Sequence, residues 1–343
     1  MTERIVLRSE KQKKLSWSFL KRCCLGYAAV FMLLLFFKCP TETAQWVESS
    51  LSVCAKRLIP SLFPFMVIAE VIVSSGLGAA LVRPLASVLK PILRLPEIGC
   101  CAVIMGMLCG FPIGARCAVS ALKANRLSRE EAQRVLLFSI NPSTAFLISA
   151  VGVSLWGSKR FGVSLCITVL LSQWIVGLLF THAFRTGGND QNLLNESKAA
   201  EHAYPNAPRL FTQAISSSCL GMLQICAYVT FFSALCGTVN LVLDQFATDA
   251  VWKALVACVL ELSGGVSAAN GLAHPLAAAS FCAFACGWSG VSVHCQLLSI
   301  CDGYGLQMRS YFAAKLLQGA LCAILFFCWI RLDPTLLIPA NPC

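Results

Sequence analysis

The residues best suited to hold a small charged molecule follow a short break in an apolar stretch. The sequence Cys109-Gly-Phe-Pro-Ile-Gly-Ala-Arg116 separates the apolar run 98–108 from a helix-forming run at 115–124. Pro112 lacks an N–H and clashes with the preceding turn, so a helix ends there. The next helix begins with unpaired N–H groups and a partial positive charge, which together favour an anion. Arg116 adds a full charge and a forked donor. The break therefore predicts an anion or carboxylate contact made by Gly110, Pro112, Gly114, Ala115 and Arg116.

Arg116 also has two ordinary interpretations. Basic residues collect at the cytoplasmic ends of membrane helices, and Glu131 is an available ion-pair partner. Ser128 and Glu131 have the spacing of a capping box, which predicts a helix that starts after Ser128 and runs to Phe138. The sequence leaves all three interpretations of Arg116 open.

A second break, Cys286-Gly-Trp-Ser-Gly-Val-Ser-Val-His294, lies in the other half of the chain. Polar side chains in a membrane normally face the protein interior or a cavity. The polar or flexible residues of this break that we expect to bind solute are Ser289, Gly290, Ser292, His294 and Gln296. His294 is suited to carry a proton or to donate to an anion. The alternative is a packing histidine hydrogen-bonded to a neighbouring carbonyl.

Four further polar residues interrupt apolar sequence. Asn141 and Ser143 flank a proline and either line the same cavity or satisfy backbone groups that the proline frees. Glu70 and Glu261 fall inside predicted spans, where a carboxylate is a functional hypothesis by default. We expect Glu70 to be the residue that couples to a proton or cation, because Glu261 also fits a solvated span end beside Gly264-Gly265.

The composition indicates a membrane protein. The chain has 343 residues, of which 57% are hydrophobic and 13% charged, whereas soluble domains carry about 25% charged residues. The net charge of +11 does not indicate nucleic acid, because the basic residues crowd the N-terminus and the short connections. The 20 cysteines form no Cys-x-x-Cys pair, so we expect neither a metal site nor disulfides, and no cofactor. Because no His-Glu-x-x-His, nucleophile elbow or phosphate loop occurs, we do not expect an enzyme.

The apolar runs predict an all-α polytopic membrane protein of two homologous helical halves, each with a discontinuous (broken or re-entrant) helix. The predicted segments are a basic cytoplasmic tail at 1–22, a first membrane helix at 23–37, a first half at 51–184, a polar linker at 185–209 and a second half at 210–331. The two breaks coincide when Cys109-Gly110 is placed on Cys286-Gly287. Interrupted apolar segments at corresponding positions of two halves are typical of a transporter core.

Four motifs occur in a fixed order along the chain: Gly110-Phe-Pro-Ile-Gly-Ala-Arg116, Glu131-Ala-Gln-Arg-Val-Leu-Leu-Phe138, Asn141 through Phe146, and Gly287-x-x-Gly-Val-Ser-Val-His-x-Gln296. Together they resemble the sporulation integral membrane protein YlbJ family, over roughly 51–330. The resemblance implies two nucleoside-recognition-type (Gate) domains in the cytoplasmic membrane of an endospore-forming bacterium, with the outer forespore membrane as a location to test.

The function that the resemblance implies is a transporter or channel for a small anionic metabolite, with dipicolinate moving toward the forespore as the first expectation. Two alternatives stay open. One is a carrier of nucleosides or other small polar solutes, and the other is a structural or assembly protein of the spore envelope membrane. The expected partners are the lipid bilayer and the anionic solute, with no nucleic acid. The sequence leaves open whether the chain also binds a second copy of itself or other sporulation membrane proteins.

Overall fold

The structure, a computed structural model, describes residues 23, 26–27, 29–75, 77–183 and 207–337. Within these ranges the chain folds into helices and contains no strand. Five of the described helices are long and apolar enough to cross a membrane, or six if one bent pair counts as a span. The prediction of an all-α polytopic membrane protein is confirmed. The predicted tail at 1–22, and the predicted linker up to residue 206, lie outside the described residues.

The described residues of the first half of the chain form eight α-helices. They are α1 (Ala29–Lys38), α2 (Pro40–Val53), α3 (Ile59–Ser74), α4 (Leu77–Leu93), α5 (Glu97–Cys109), α6 (Phe111–Lys123), α7 (Arg129–Ser139) and α8 (Lys159–Ala183). A π-helical turn, Cys54–Leu58, joins α2 to α3, and a π-helical segment, Phe146–Leu155, lies between α7 and α8. The predicted start of the first half at residue 51 falls inside a continuous candidate span, Pro40–Ile72. Within the predicted first membrane helix at 23–37, the described residues 23, 26–27 and 29–37 are helical.

The second half, as far as residues 207–337 describe it, forms six α-helices and a short 3₁₀ turn. They are α9 (Ala207–Asp244), α10 (Ala250–Leu260), α11 (Leu262–Asn270), α12 (Pro275–Trp288), α13 (Gly290–Cys301), α14 (Met308–Leu332) and the turn Pro334–Leu337. The outer face of α9 exposes Leu220, Leu223 and Phe231. An apolar surface of this kind suits contact with lipid.

α5 and α6 fold back on each other as a hairpin. A Cβ added at Gly106 of α5 would lie 2.5 Å from the Cβ of Ser139, and one added at Gly114 of α6 would lie 2.7 Å from the same atom. Residues eight apart in a straight helix are separated by about 12 Å, so both limbs reach Ser139 only because the chain reverses. Gly110 makes the reversal at a φ of +94°, in the region that favours glycine.

α10 and α11 form a second hairpin, which the sequence patterns did not predict. A Cβ added at Gly265 would lie 2.5 Å from the Cα of Cys258, and the Cys258 thiol donates to the Gly265 carbonyl at 3.4 Å. The chain turns at Glu261, whose backbone is extended and whose carboxylate accepts the N–H of Gly264. This hairpin places Glu261 at a turn inside the protein.

Each hairpin is followed by an interrupted helix and then by a long uninterrupted helix. α7 stops at Ser139, and helix resumes at Thr144, leading into the π-helical segment, after the interruption at 140–143. α12 and α13 together form one candidate span, Pro275–Cys301, interrupted at Ser289, where φ is +75°. The break at Gly110 is therefore a hairpin turn, whereas the break at 286–294 interrupts a helix that continues. The predicted alignment of Cys109-Gly110 with Cys286-Gly287 pairs unlike elements and is wrong in register.

The two hairpins enter the protein from opposite ends. Lys123, the last residue of α6, lies 5.1 Å from the ring of Tyr304, just before α14. Asn270, the last residue of α11, donates to the carbonyl of Leu155, just before α8. An ion pair joins the beginning of α8 to the residue that follows α14, so these two helices run antiparallel. The open end of one hairpin thus lies beside the start of α14, and the open end of the other beside the start of α8.

Candidate functional site

Each hairpin turn contacts the interruption of the helix that follows it. The N–H of Phe111, next to the first turn, donates to the carbonyl of Asn141 at 2.8 Å. A Cβ added at Gly290, which has a φ of +80°, would lie 2.9 Å from the backbone nitrogen of Leu262 at the second turn. Each turn therefore meets an interruption at a point where the helical hydrogen-bond ladders are incomplete.

A small cavity, here called the inner cavity, lies where these four segments meet. Its volume is about 40 Å³, which is room for a few water molecules. The residues of the four segments that line it with polar groups or bare backbone include Gly110, Pro112, Ser143, Glu261, Ser292 and Gln296. Ser292 is buried, and its hydroxyl has no hydrogen-bond partner among the described residues. The inner cavity therefore offers a free hydroxyl to a bound molecule.

A larger cavity of about 510 Å³, here called the outer cavity, adjoins the inner one. The two share three lining residues, Pro112, Ile225 and Gln296, which form the wall between them. The outer cavity lies within the 300–1,000 Å³ range typical of small-molecule sites. It therefore has room for a solute that the inner cavity is too small to hold.

The outer cavity carries more positive than negative charge. Arg116 and Lys123 line it together with a single carboxylate, Glu70. A guanidinium nitrogen of Arg116 donates to the hydroxyl of Ser217 on α9 at 3.4 Å. The predicted capping box of Ser128 and Glu131 is confirmed, with both of its hydrogen bonds present. Among the described residues the contact of Arg116 is with Ser217, not with Glu131, which leaves the guanidinium facing the cavity.

The two intramembrane carboxylates have different environments. Glu70, the expected coupling residue, is half-buried in the outer cavity and accepts a hydrogen bond from Ser74 at 3.4 Å. Glu261 is only 2% exposed, so the interpretation of a solvated span end is wrong. Its carboxylate lies at the N-terminus of α11, where the helix dipole stabilises a negative charge. The sequence signal for this site was Glu261 followed by Gly264-Gly265, which also fits a turn.

His294 does not line either cavity. Its ring packs edge-on to the rings of Trp288, Tyr311 and Phe312. Its Nδ1 lies 3.1 Å from the Tyr311 hydroxyl, and among the described residues its Nε2 has no hydrogen-bond partner. The structure favours the packing interpretation of His294, with a hydroxyl as the partner where a carbonyl was expected.

The remaining predicted site residues shape the cavities without lining them; they are Gly114, Ala115, Asn141, Ser289 and Gly290. Gly114 lets α6 approach Ser139, and Ala115, the next residue of α6, is fully buried. Ser289 has a left-handed backbone conformation, with a φ of +75°, and its hydroxyl donates to the carbonyl of Cys286 at 3.4 Å.

Asn141 joins a buried polar network behind the inner cavity. Its amide nitrogen donates to Gln173 of α8, and its amide oxygen accepts from Gln318 of α14 at 2.9 Å. Lys315 donates to Gln318 at 2.9 Å and to the carbonyl of Ile140 at 2.8 Å. Sequence reasoning missed this network. The available signal was a lysine and a glutamine three residues apart on one face of an apolar helix.

The fold and the burial of polar groups define an integral, multi-pass membrane protein whose helices break around a central pair of cavities. The chain is 26% identical to the sporulation integral membrane protein YlbJ of Bacillus subtilis (strain 168) over 315 residues, which are 83% of this chain and 77% of that protein. The similarity supports the family resemblance and is consistent with a sporulation membrane protein. No family model matches the chain, and no solved structure matches it.

Proposed function

We propose that this protein is a sporulation-associated transporter or channel for a small anionic metabolite, with dipicolinate moving toward the forespore as the first candidate. The observation that carries the proposal is the pair of adjoining cavities, of which the inner one lies where four interruptions of helical structure meet. Non-helical backbone is tolerated within a membrane only where it is buried or lines a polar space. Converging helix breaks are the common construction of solute sites in membrane transporters. The proposal assigns no catalytic step to the chain.

The anionic character of the solute is inferred from the outer cavity and from the family resemblance. Arg116 and Lys123 outnumber Glu70 there, and a guanidinium binds a carboxylate through two parallel hydrogen bonds. A dicarboxylate would be held on the outer side of the wall formed by Pro112, Ile225 and Gln296. It would remain there in this conformation because the inner cavity is too small for it.

We also propose that the two halves are repeats of opposite orientation. The order of hairpin, interrupted helix and long helix occurs twice, and the hairpins enter from opposite ends. α7 packs on both limbs of the first hairpin, as α12 does on both limbs of the second. The corresponding helices α3 and α9 pack on each other, and so do α8 and α14. Repeats of this kind can expose one site alternately to the two sides of a membrane.

A neutral polar solute such as a nucleoside is the second candidate. The polar groups of the inner cavity favour it, and the cavity would have to widen from its present volume of about 40 Å³ to admit it. Glu261, Ser292 and Gln296 offer a carboxylate, a hydroxyl and an amide to a solute rich in hydrogen-bonding groups. The Glu261 carboxylate would repel a dianion but accept hydrogen bonds from sugar hydroxyls. The two candidates thus differ in which cavity determines selectivity.

Uptake into liposomes that contain the purified protein tests the proposal. Labelled dipicolinate, a non-aromatic dicarboxylate and a nucleoside are compared for the wild type, Arg116→Gln and the matched control Arg126→Gln, which changes an exposed arginine that does not line the outer cavity. We expect saturable dipicolinate uptake that falls with Arg116→Gln alone. Uptake of the nucleoside only would support the second candidate. Folded protein that moves none of the three would contradict transport and favour a structural role.

A further inference from the structure

Lys315 is a buried lysine in the long helix α14. It is 2% exposed and lines neither cavity. None of the ion pairs among the described residues includes it. An ammonium group inside a membrane protein is costly, and a lysine there is a functional hypothesis by default.

The partners of the ammonium are neutral oxygen atoms. Its Nζ donates to the carbonyl of Ile140 at 2.8 Å and to the amide oxygen of Gln318 at 2.9 Å. The amide nitrogen of Gln318 donates in turn to Asn141 and, at 3.4 Å, to the carbonyl of Val169. These two bonds fix the Gln318 side chain so that its oxygen faces Lys315.

The site lies at the negative end of a helix. Ile140 directly follows α7, whose last carbonyls have no partners within the helix and carry the negative end of its dipole. Neutral carbonyl and amide oxygens around a single positive charge are also the ligands that hard metal cations prefer. The chemistry of the oxygen set is therefore that of a cation site.

We infer that the ammonium of Lys315 takes the place of a bound metal cation. It occupies an oxygen-lined site at the end of α7 that would otherwise suit a free monovalent cation such as Na⁺ or K⁺. The site also controls the first hairpin turn, since Asn141 bonds to Gln318 through its side chain and to Phe111 through its carbonyl. Lys315 is thus a positioning residue for the first hairpin turn, which lines the inner cavity. This inference does not depend on the transport proposal, because its test needs no solute.

Thermal unfolding of the purified protein in detergent tests the inference. The wild type, Lys315→Ala and Lys159→Ala are compared in the chlorides of sodium, potassium, methylammonium and choline at equal ionic strength. We expect the wild type to have the same midpoint in all four salts. Lys315→Ala should have a low midpoint in choline, which is too large for the site, and should recover by about 4 °C in at least one of the smaller cations.

Two controls separate a cation site from general destabilisation. Lys159→Ala removes an exposed lysine that lines neither cavity and should show no cation response. Gln318→Leu removes one oxygen but keeps the ammonium, so it should lower the midpoint equally in all four salts. Equal midpoints of Lys315→Ala in the four salts, or its failure to fold in every one of them, would overturn the inference. A cation response of the wild type equal to that of the variant would do so as well.

Discussion

The two hairpin turns reach the same inner cavity, but the charges beside them have opposite signs. The first turn has no side chain at Gly110, and the nearby charge is the ammonium of Lys315, behind the cavity at the end of α7. The second turn carries its own charge, the carboxylate of Glu261 at the start of α11. A helix C-terminus favours a cation and a helix N-terminus favours an anion. Similar backbone arrangements are therefore neutralised by charges of opposite sign, according to which helix end each one exposes.

Disrupting the contact between the second hairpin turn and the neighbouring interruption should have the largest effect on stability. Gly290→Ala combines a positive φ with a backbone nitrogen 2.9 Å away, so it should cost about 3 kcal/mol of stability. Gly303→Ala is the matched control, because Gly303 has a φ of +79° and no atom within 4 Å of an added Cβ. It should cost about 1 kcal/mol. Thermal unfolding in detergent measures both, and equal losses would mean that the turn does not pack on the interruption.

Glu261→Gln tests whether the carboxylate of the second turn selects against anions. Removing this negative charge from the inner cavity should raise dipicolinate uptake by about tenfold relative to nucleoside uptake. It should also cost about 1 kcal/mol of stability, because a neutral amide caps α11 less well. Glu70→Gln, in the more solvated outer cavity, should change the uptake ratio less. If Glu261→Gln lowered the uptake of both solutes equally, Glu261 would have no role in selectivity.

Arg116→Gln tests the charge of the outer cavity. Dipicolinate uptake should fall by about fivefold at low ionic strength, and the difference should shrink at about 0.5 M salt because salt screens exposed charges. Nucleoside uptake should not change. Arg126→Gln should leave the uptake of both solutes as in the wild type. An effect of Arg116→Gln that is the same at both salt concentrations would point to a structural role for Arg116.

His294→Gln should have the smallest effect on uptake. Because His294 lines neither cavity, uptake should change by less than about twofold, while the lost contact with Tyr311 should cost about 1 kcal/mol of stability. Gln296→Ala is the comparison, since Gln296 lines both cavities and its loss should reduce uptake more. A larger loss of uptake from His294→Gln than from Gln296→Ala would indicate that His294 contacts the solute.

Local sequence chemistry predicted the features that depend on neighbouring residues. The break at Gly110 followed from a proline and two glycines, and the capping box followed from Ser128 and Glu131. Helical spacing explains the outcome at the second break. Ser292 and Gln296 are four residues apart and share the face that lines the inner cavity, whereas His294 is two residues from each and faces away.

The features that the sequence did not predict depend on contacts between distant segments. The hairpin at Glu261 has the same local signals as a span end, and only its burial against Gly290 distinguishes the two. Lys315 contacts Ile140 across 175 residues of chain, a pairing that no local pattern contains. The predicted alignment of the two breaks was wrong for the same reason, because a hairpin turn and an interrupted span both appear as glycine-rich breaks.

Binding of labelled dipicolinate to the purified protein, measured for the wild type and for Gln296→Ala, tests whether the adjoining cavities bind a small anionic solute. Gln296 belongs to the wall that the two cavities share. We expect saturable binding by the wild type. In the variant the affinity for dipicolinate should be weaker by about tenfold, because a polar contact to the bound solute is lost. Equal affinity of the two proteins, or no saturable binding by the folded wild type, would contradict this expectation.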